Sequence, residues 1–190
     1  MTVEGPRYRM GQVLTHKDDV RSKNDFYETS SVATRVLMNE VQFDNKVWEP
    51  ACGKGAITDV LREKYDVIES DISDEFNRGR RKDFLSTNKL PSGINSIITN
   101  PPFKFLNEFV MKALELKPRF VVMHMAVGAL GSVKRGKIYN DHPPSLVLII
   151  SNTLSVQSRD KVIKSMFNHM WVVWDSEHNG NTSIVWREAR

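Results

Sequence analysis

The 190-residue chain carries one cysteine, Cys52, so no disulfide can close within it. That favours a reducing, intracellular setting. It also has no apolar run near the roughly 18 residues that a membrane span requires. The first 30 residues contain no apolar signal core, and cytoplasm is therefore the expected location. Neither sign of charge dominates: 27 basic and 23 acidic residues leave a net charge of +4, which permits a polyanionic partner without demanding one. The phosphate-loop pattern G-x-x-x-x-G-K-[ST] is missing, as is G-x-G-x-x-G, so a phosphate loop is excluded and a dinucleotide disfavoured. His124, His142, His169 and His178 stand at no metal-ligating spacing with cysteine or carboxylates, and no metal site is expected. No internal repeat, low-complexity tract or linker divides the chain, and its length suits one domain.

What is present alternates between two periods. Residues 1–25 are polar and read as an N-terminal arm, with the folded domain over 26–190. The serine pair ahead of Val32, Val36, Leu37 and Met38 predicts a short capped helix within 26–40. "KVWE", "DVIESDIS", "INSIIT", "RFVVMHMA" and "SLVLIIS" read as strands. Helices are predicted over "AITDVLREKY", "RDKVIKSMFNH" and "FKFLNEFVMKALELK", the last with an apolar face of Phe105, Leu106, Phe109, Val110, Ala113 and Leu114. Residues 74–93 read as loop-rich. The end, "WVVWDSEHNGNTSIVW", alternates around Asn-Gly and predicts an antiparallel hairpin in which Trp171 and Trp174 pack. Strands alternating with helices imply an α/β fold, a mostly parallel sheet covered on both faces.

In such a sheet ligands lie beyond the carboxyl ends of the strands. The first strand delivers "EPACGKG", residues 49–55, to that edge. Gly53 and Gly55 allow close backbone approach and a tight turn, and with Glu49 they suit a ligand bearing an amine. The same glycines also suit a plain strand-to-helix turn. The second strand ends in "ESDIS", where Asp71 or Glu69 can accept hydrogen bonds from ribose hydroxyls or simply face water. Asp83 beside Phe84 offers an acceptor and a flat apolar surface, which an adenine ring needs.

The rarest stretch is "TNPPF", residues 99–103. Two prolines end the strand and stiffen the backbone after it. An aromatic amine is a poor nucleophile because its lone pair is shared with the ring. Acceptors aimed at both of its hydrogens free that lone pair. Asn100 offers a side-chain carbonyl and Pro101 a backbone carbonyl, held in place before reaction. Phe103 can stack on a flat base.

Together and in this order, "EPACGKG", "ESDIS", "DFL" and "TNPPF" resemble the motifs of class I S-adenosylmethionine-dependent methyltransferases acting on amino groups. "DFYETS", residues 25–30, is similar to an upstream "FYxTP" cofactor motif, with Ser30 in place of proline. Asp175, Gly180, Thr182 and Trp186 resemble the closing segment of the small phage and prophage DNA adenine-N6 enzymes. The resemblance implies a Rossmann-like class I methyltransferase fold: a mostly parallel seven-stranded sheet with helices on both faces and an antiparallel C-terminal hairpin, the domain spanning 26–190. It implies S-adenosyl-L-methionine as cofactor, held by Tyr27, Thr29, Glu49, Pro50, Ala51, Gly53, Gly55, Asp71, Ile72, Asp83, Phe84 and Asn100. Asn100, Pro101, Pro102 and Phe103 would hold the target amine for direct methyl transfer, with no metal and no covalent intermediate, and Cys52 would have no nucleophilic part. In a DNA duplex the target base must be flipped out. The expected partner is DNA, duplex or single-stranded, in the cytoplasm of a bacterium or a phage-infected cell. RNA bases or a protein glutamine are alternative acceptors, and an idle cofactor- or nucleic-acid-binding subunit is the non-enzymatic alternative. The gap from Asp83 to Asn100 is too short for a target-recognition domain, so sequence specificity would have to come from loops, from a second copy or a partner subunit, or be weak. Ser151 and Asn152 stand where the family often has an arginine. The basic groups Arg78, Arg80, Arg81, Lys82 and Lys134, Arg135, Lys137 suit either phosphate contact or a solvated surface.

Overall fold

A computed structural model describes residues 28–151, 155–158, 161–164 and 168–188. The N-terminal arm and Tyr27 lie outside the described residues. In chain order the elements are α1 (Ser31–Glu40), β1 (Lys46–Glu49), α2 (Thr58–Leu61), β2 (Asp66–Asp71), β3 (Arg80–Arg81) and β4 (Ser96–Thr99). There follow α3 (Leu106–Glu115), β5 (Phe120–Ala126), α4 (Val133–Asp141), β6 (Leu146–Ser151), β7 (Ser155–Ser158), β8 (Lys161–Lys164), β9 (His169–Asp175) and β10 (Ser183–Glu188). Short 3-10 turns occupy Phe103–Phe105 and Val127–Gly131.

One eight-stranded sheet has the order β10-β6-β9-β5-β4-β1-β2-β3, and β7 pairs with β8 in a separate ribbon. The strand order reverses between β1 and β4, which places the ligand-binding edge of an open parallel sheet there. β9 is inserted between β5 and β6 and runs antiparallel to both. Alternation along the strands builds two cores. Val47, Ile98, Val122, Leu148 and Trp171 face α1 and α2. Trp48, Ile97, Val121, Met123, Val147 and Met170 face α3, with Ile138 and Tyr139 of α4 packed at the margin. Each buried indole keeps its N–H satisfied, as burial of that donor requires. Trp171 donates to Ala33 O at 2.9 Å, tying α1 to the sheet, and Trp48 donates to Ser70 Oγ at 2.9 Å.

The α/β class holds, with differences in detail. The sheet has eight strands where seven are expected. The extra strand at one edge, β3, lies in the stretch read as loop and is only two residues long. At the other edge, β9 and β10 run in opposite directions, as the closing hairpin requires, but do not pair with each other. β6 lies between them, parallel to β10. Thr182 Oγ1 donates to Pro144 O at 2.6 Å and Ser183 N to Ser145 O at 3.0 Å, fixing the start of β10 beside the start of β6. The helix expected within 159–169 is strand at Lys161–Lys164, where the β-branched pair Val162 and Ile163 favours extended backbone. Ser30 occupies the N-cap of α1 without a side-chain cap bond. α3 begins at Leu106, and Phe105 is 41% exposed instead of lying on its apolar face. Among the described residues no helix is long and apolar enough to cross a membrane.

Candidate active site

The carboxyl ends of β1, β2 and β4 open onto a cavity of about 1120 Å3. A smaller hollow of about 290 Å3 lies elsewhere, between Val41, Phe120 and Asp175, and holds none of the side chains singled out for cofactor or substrate.

The loop from β1 to α2 forms one wall. Gly53 (φ 49°) and Gly55 (φ 90°) both adopt the left-handed backbone that favours glycine. Their reasons differ. Gly53 lines the cavity and its N–H donates to Asp71 Oδ2 at 2.8 Å. Gly55 does not line it; a Cβ there would overlap the guanidinium of Arg78. Arg78 donates to Lys54 O at 3.0 Å, bonds Asp59 and reaches Glu69 Oε2 at 3.2 Å. It rivets the loop to the start of α2 and to β2, and so belongs to the scaffold rather than to the solvated basic group read from sequence.

Glu49, at the tip of β1, is 2% exposed and accepts a hydrogen bond from Thr58. Burial pushes its carboxyl up to about 8, against the Thr58 hydrogen bonds, and the nearby negative charges of Glu69 and Asp71 add to the rise. Cys52 is buried beside it, and burial followed by the same carboxylates pushes the thiol up to about 12. Such a thiol is no nucleophile at neutral pH.

Asp71 ends β2. Its Oδ2 accepts from Gly53 N and its Oδ1 from Ser73 N at 2.9 Å, which fixes the carboxylate at the cavity wall. Ile72 follows, 63% exposed. On the next wall, Asp83 accepts from Leu85 N at 2.9 Å and Ser86 Oγ at 2.5 Å. Phe84 is 2% exposed and wedged between Trp48 and Phe109 at centroid distances of 5.4 and 4.9 Å. It therefore meets the cavity as floor, not as an open stacking face.

The segment after β4 forms the mouth. Asn100, Pro101, Pro102 and Phe103 all line the cavity, together with Pro50, Ala51 and, from ahead of α1, Thr29. Thr29 is 6% exposed and its Oγ1 has no hydrogen-bond partner among the described residues. Of the residues that the resemblance assigns to the cofactor or the target amine, Gly55 and the undescribed Tyr27 are not in this lining; Glu69, the alternative ribose acceptor, is not in it either. Lys82, read from sequence within a basic group, also lines the cavity, its Nζ 4.8 Å from the Trp48 ring. Several lining residues had been given no part in a site, among them Glu28, which pairs with Lys54 at 3.2 Å; Phe76, with Lys54 Nζ 5.9 Å from its ring centroid; and Phe105. A lone aromatic in the polar stretch 74–83 was the available signal for Phe76. Nothing local marked the others.

Outside the cavity, Arg135 donates to Ala129 O at 2.8 Å and Asn107 Oδ1 at 3.3 Å, which is structural use of that basic group. The His124 and His169 rings stack at 5.0 Å, and His124 also meets the Trp171 ring at 4.7 Å. Among the described residues no cluster of three or more histidine, cysteine or carboxylate side chains is arranged to hold a metal.

No protein-family model matches the chain, and no curated protein matches it in sequence. Its backbone is similar to that of several methyltransferases. A modification subunit attributed to a type I restriction enzyme from Vibrio vulnificus superposes with TM-score 0.57 at 13% identity over 90% of this chain and 48% of that one. A type I restriction-modification methyltransferase subunit from Streptococcus thermophilus gives 0.57 at 9% over 82% and 45%. An S-adenosylmethionine-dependent O-methyltransferase from Thermotoga maritima gives 0.54 at 9% over 78% and 66%. The chain thus spans between about half and two thirds of these proteins. At such identities the likeness is one of fold, and that fold is the Rossmann-like one of these methyltransferases.

Proposed function

We propose that the chain is an S-adenosylmethionine-dependent methyltransferase whose acceptor is the exocyclic N6 amine of adenine in DNA. One observation carries the reading: the rigid Asn100–Phe103 segment and the β1–α2 loop open into a single cavity of about 1120 Å3. That is ample for a cofactor and a flat base together, since pockets for drug-sized ligands span ~300–1000 Å3. The fold alone does not choose the acceptor, because one fold hosts many chemistries. The Asn-Pro-Pro-Phe geometry suits an aromatic amine.

The donor set fits the cofactor. Glu49 is a carboxyl buried without a cation, which suits the ammonium of the methionine part. Thr29 Oγ1, buried and unpartnered among the described residues, is a hydrogen-bonding group in want of a ligand. Asp71, held by Gly53 N and Ser73 N, keeps lone pairs for the ribose hydroxyls. Asp83 and Phe84 border the region suited to the adenine ring. When bound, the cofactor supplies a methyl group on a sulfonium, an electrophile that needs no metal.

The chain's own residues then act on the acceptor. Asn100 Oδ1 and the Pro101 carbonyl accept the two amine hydrogens, restoring the lone pair on nitrogen. Pro101 and Pro102 hold both acceptors without reorganisation during the reaction. Phe103 holds the base plane. The cofactor, held by Glu49, Asp71 and Asp83, would supply the methyl to the amine nitrogen so positioned, and the amine's surplus proton would leave for water.

The test is transfer of labelled methyl to unmethylated duplex DNA, single-stranded DNA and RNA, each digested to nucleosides. Label in N6-methyladenine from DNA is expected; label in RNA alone overturns the substrate and keeps the clamp. Asn100→Ala is expected to lower turnover at least ~100-fold, the scale of losing one preorganised group, while cofactor binding persists. Unchanged turnover would remove the clamp mechanism.

A further inference from the structure

The rings of Phe103 and Phe105 are 40% and 41% exposed at the mouth of the cavity. Their neighbours Phe84 and Phe109 are 2% and 7% exposed. The two open rings stand on one 3-10 turn, Phe103–Phe105, closed by Phe105 N to Pro102 O at 2.9 Å. In a 3-10 turn successive residues project ~120° apart, so rings at i and i+2 diverge and cannot serve the same flat partner. If Phe103 holds the target base, Phe105 faces something else. Lys104, between them, sets its Nζ 5.4 Å from the Phe105 ring centroid. An exposed aromatic beside a cation, on a backbone stiffened by two prolines, is matched to a stacked base joined to a phosphate.

We propose that Phe105 is a second stacking platform, for the nucleotide adjacent to the target base, and that Lys104 meets the phosphate between the two. This rests on the proposed nucleobase acceptor and sharpens it: the substrate is a polynucleotide strand, read one nucleotide beyond the reacting base, and neither a free nucleobase nor a glutamine side chain completes the site. Phe105 is not a catalytic residue, so its loss acts on substrate capture and leaves the chemical step alone.

The test uses the full chain and unmethylated genomic DNA. Phe105→Leu keeps an apolar side chain and removes the flat ring. The expected result is a rise of at least fivefold in KM for DNA, with kcat within twofold and cofactor affinity unchanged. A KM within twofold of the unsubstituted protein overturns the proposal. Should Phe105→Leu fail to fold, photocrosslinking of the unsubstituted protein decides. Random-sequence DNA with 5-iodouracil in place of thymine is irradiated in complex, and the crosslinked tryptic peptides are sequenced. Attachment at Phe105 supports the platform, and crosslinks confined to other positions overturn it. The underlying reading fails visibly elsewhere: the unsubstituted protein would then label no DNA, and this proposal would fall with it.

Discussion

At the scale of single residues, Glu49 makes the sharpest statement. Its carboxyl is 2% exposed and raised to about 8, chiefly by burial, so near neutral pH the empty site holds it largely protonated. An ammonium arriving beside it favours the carboxylate, and binding must release a proton. The consequence has a definite sign. Below pH 8 each ammonium bound displaces a proton from Glu49, so affinity for S-adenosylmethionine rises with pH, by up to tenfold per unit. Above about pH 8 the ligand's own α-amino group loses its charge, and affinity falls again. Calorimetry in buffers of different ionisation enthalpy should record release approaching one proton near pH 6.5. Glu49→Gln should weaken binding and flatten its dependence on pH between 6 and 8. A wild-type affinity that does not change over that window would mean the ammonium is held elsewhere.

At the scale of elements, the histidine pair between β5 and β9 is a second pH-dependent feature, and it concerns stability. Burial holds His124 well below its ordinary range, with His169 adding to the effect, and burial also lowers His169. His124 therefore stays neutral in the folded state, and His169 takes up its proton at lower pH than it does in the unfolded chain, whose histidines titrate near pH 6.5. By linkage the stability they permit is whole above that pH and declines as the pH falls through it. Chemical denaturation at pH 7.5 and 5.5 should show the loss, and His124→Leu should reduce the difference between the two. Arg78 acts between elements too. It joins the β1–α2 loop, the start of α2 and β2, and its side chain is 25% exposed. Its partner Asp59 is 58% exposed, and a pair solvated on that side adds little to global stability, but the loop geometry depends on the guanidinium that fills the space over Gly55. Arg78→Ala should therefore weaken cofactor binding about tenfold while the melting temperature moves by only a few degrees. A large loss of stability with cofactor affinity intact would reverse that assignment.

The same scale separates what the sequence disclosed from what it hid. The loops at the cavity were legible because their constraints are local: glycines at positive φ after β1, a carboxylate ending β2, two prolines stopping β4. The packing of Gly55 against Arg78 was not legible, because that partner arrives from a distant stretch. α4 was missed because its sequence, VKRGKIYND, is mostly polar and has no buried residue. The insertion of β6 between the C-terminal strands is a choice among long-range pairings, and alternation alone cannot express it: β9 and β10 carry the pattern of a hairpin, whichever strand they lie beside.

At the scale of the whole molecule, the proposed DNA substrate raises the question of how a chain with a net charge of only +4 would hold a polyanion. Many of its cations are already engaged: Arg35 with Glu63, Arg119 with Glu177, Arg187 with Glu40, and Arg78 with Asp59 and Glu69. Among the described residues, the cavity-lining cations without a carboxylate within ion-pair distance are Lys82 and Lys104. Each phosphate neutralised contributes about −0.9 to the slope of log affinity against log salt on duplex DNA. Two or three such contacts give a slope of about −2 to −3, shallow for a DNA-binding protein, and Lys104→Ala should reduce its magnitude by about one. Such a grip supplies little sequence discrimination, because phosphate contacts position and base contacts specify. If the proposed DNA-adenine activity holds, sites methylated in cells that have no other adenine methyltransferase should therefore be short and degenerate. A slope steeper than about −6, or a long unique site, would require a further protein surface to complete the DNA-binding face.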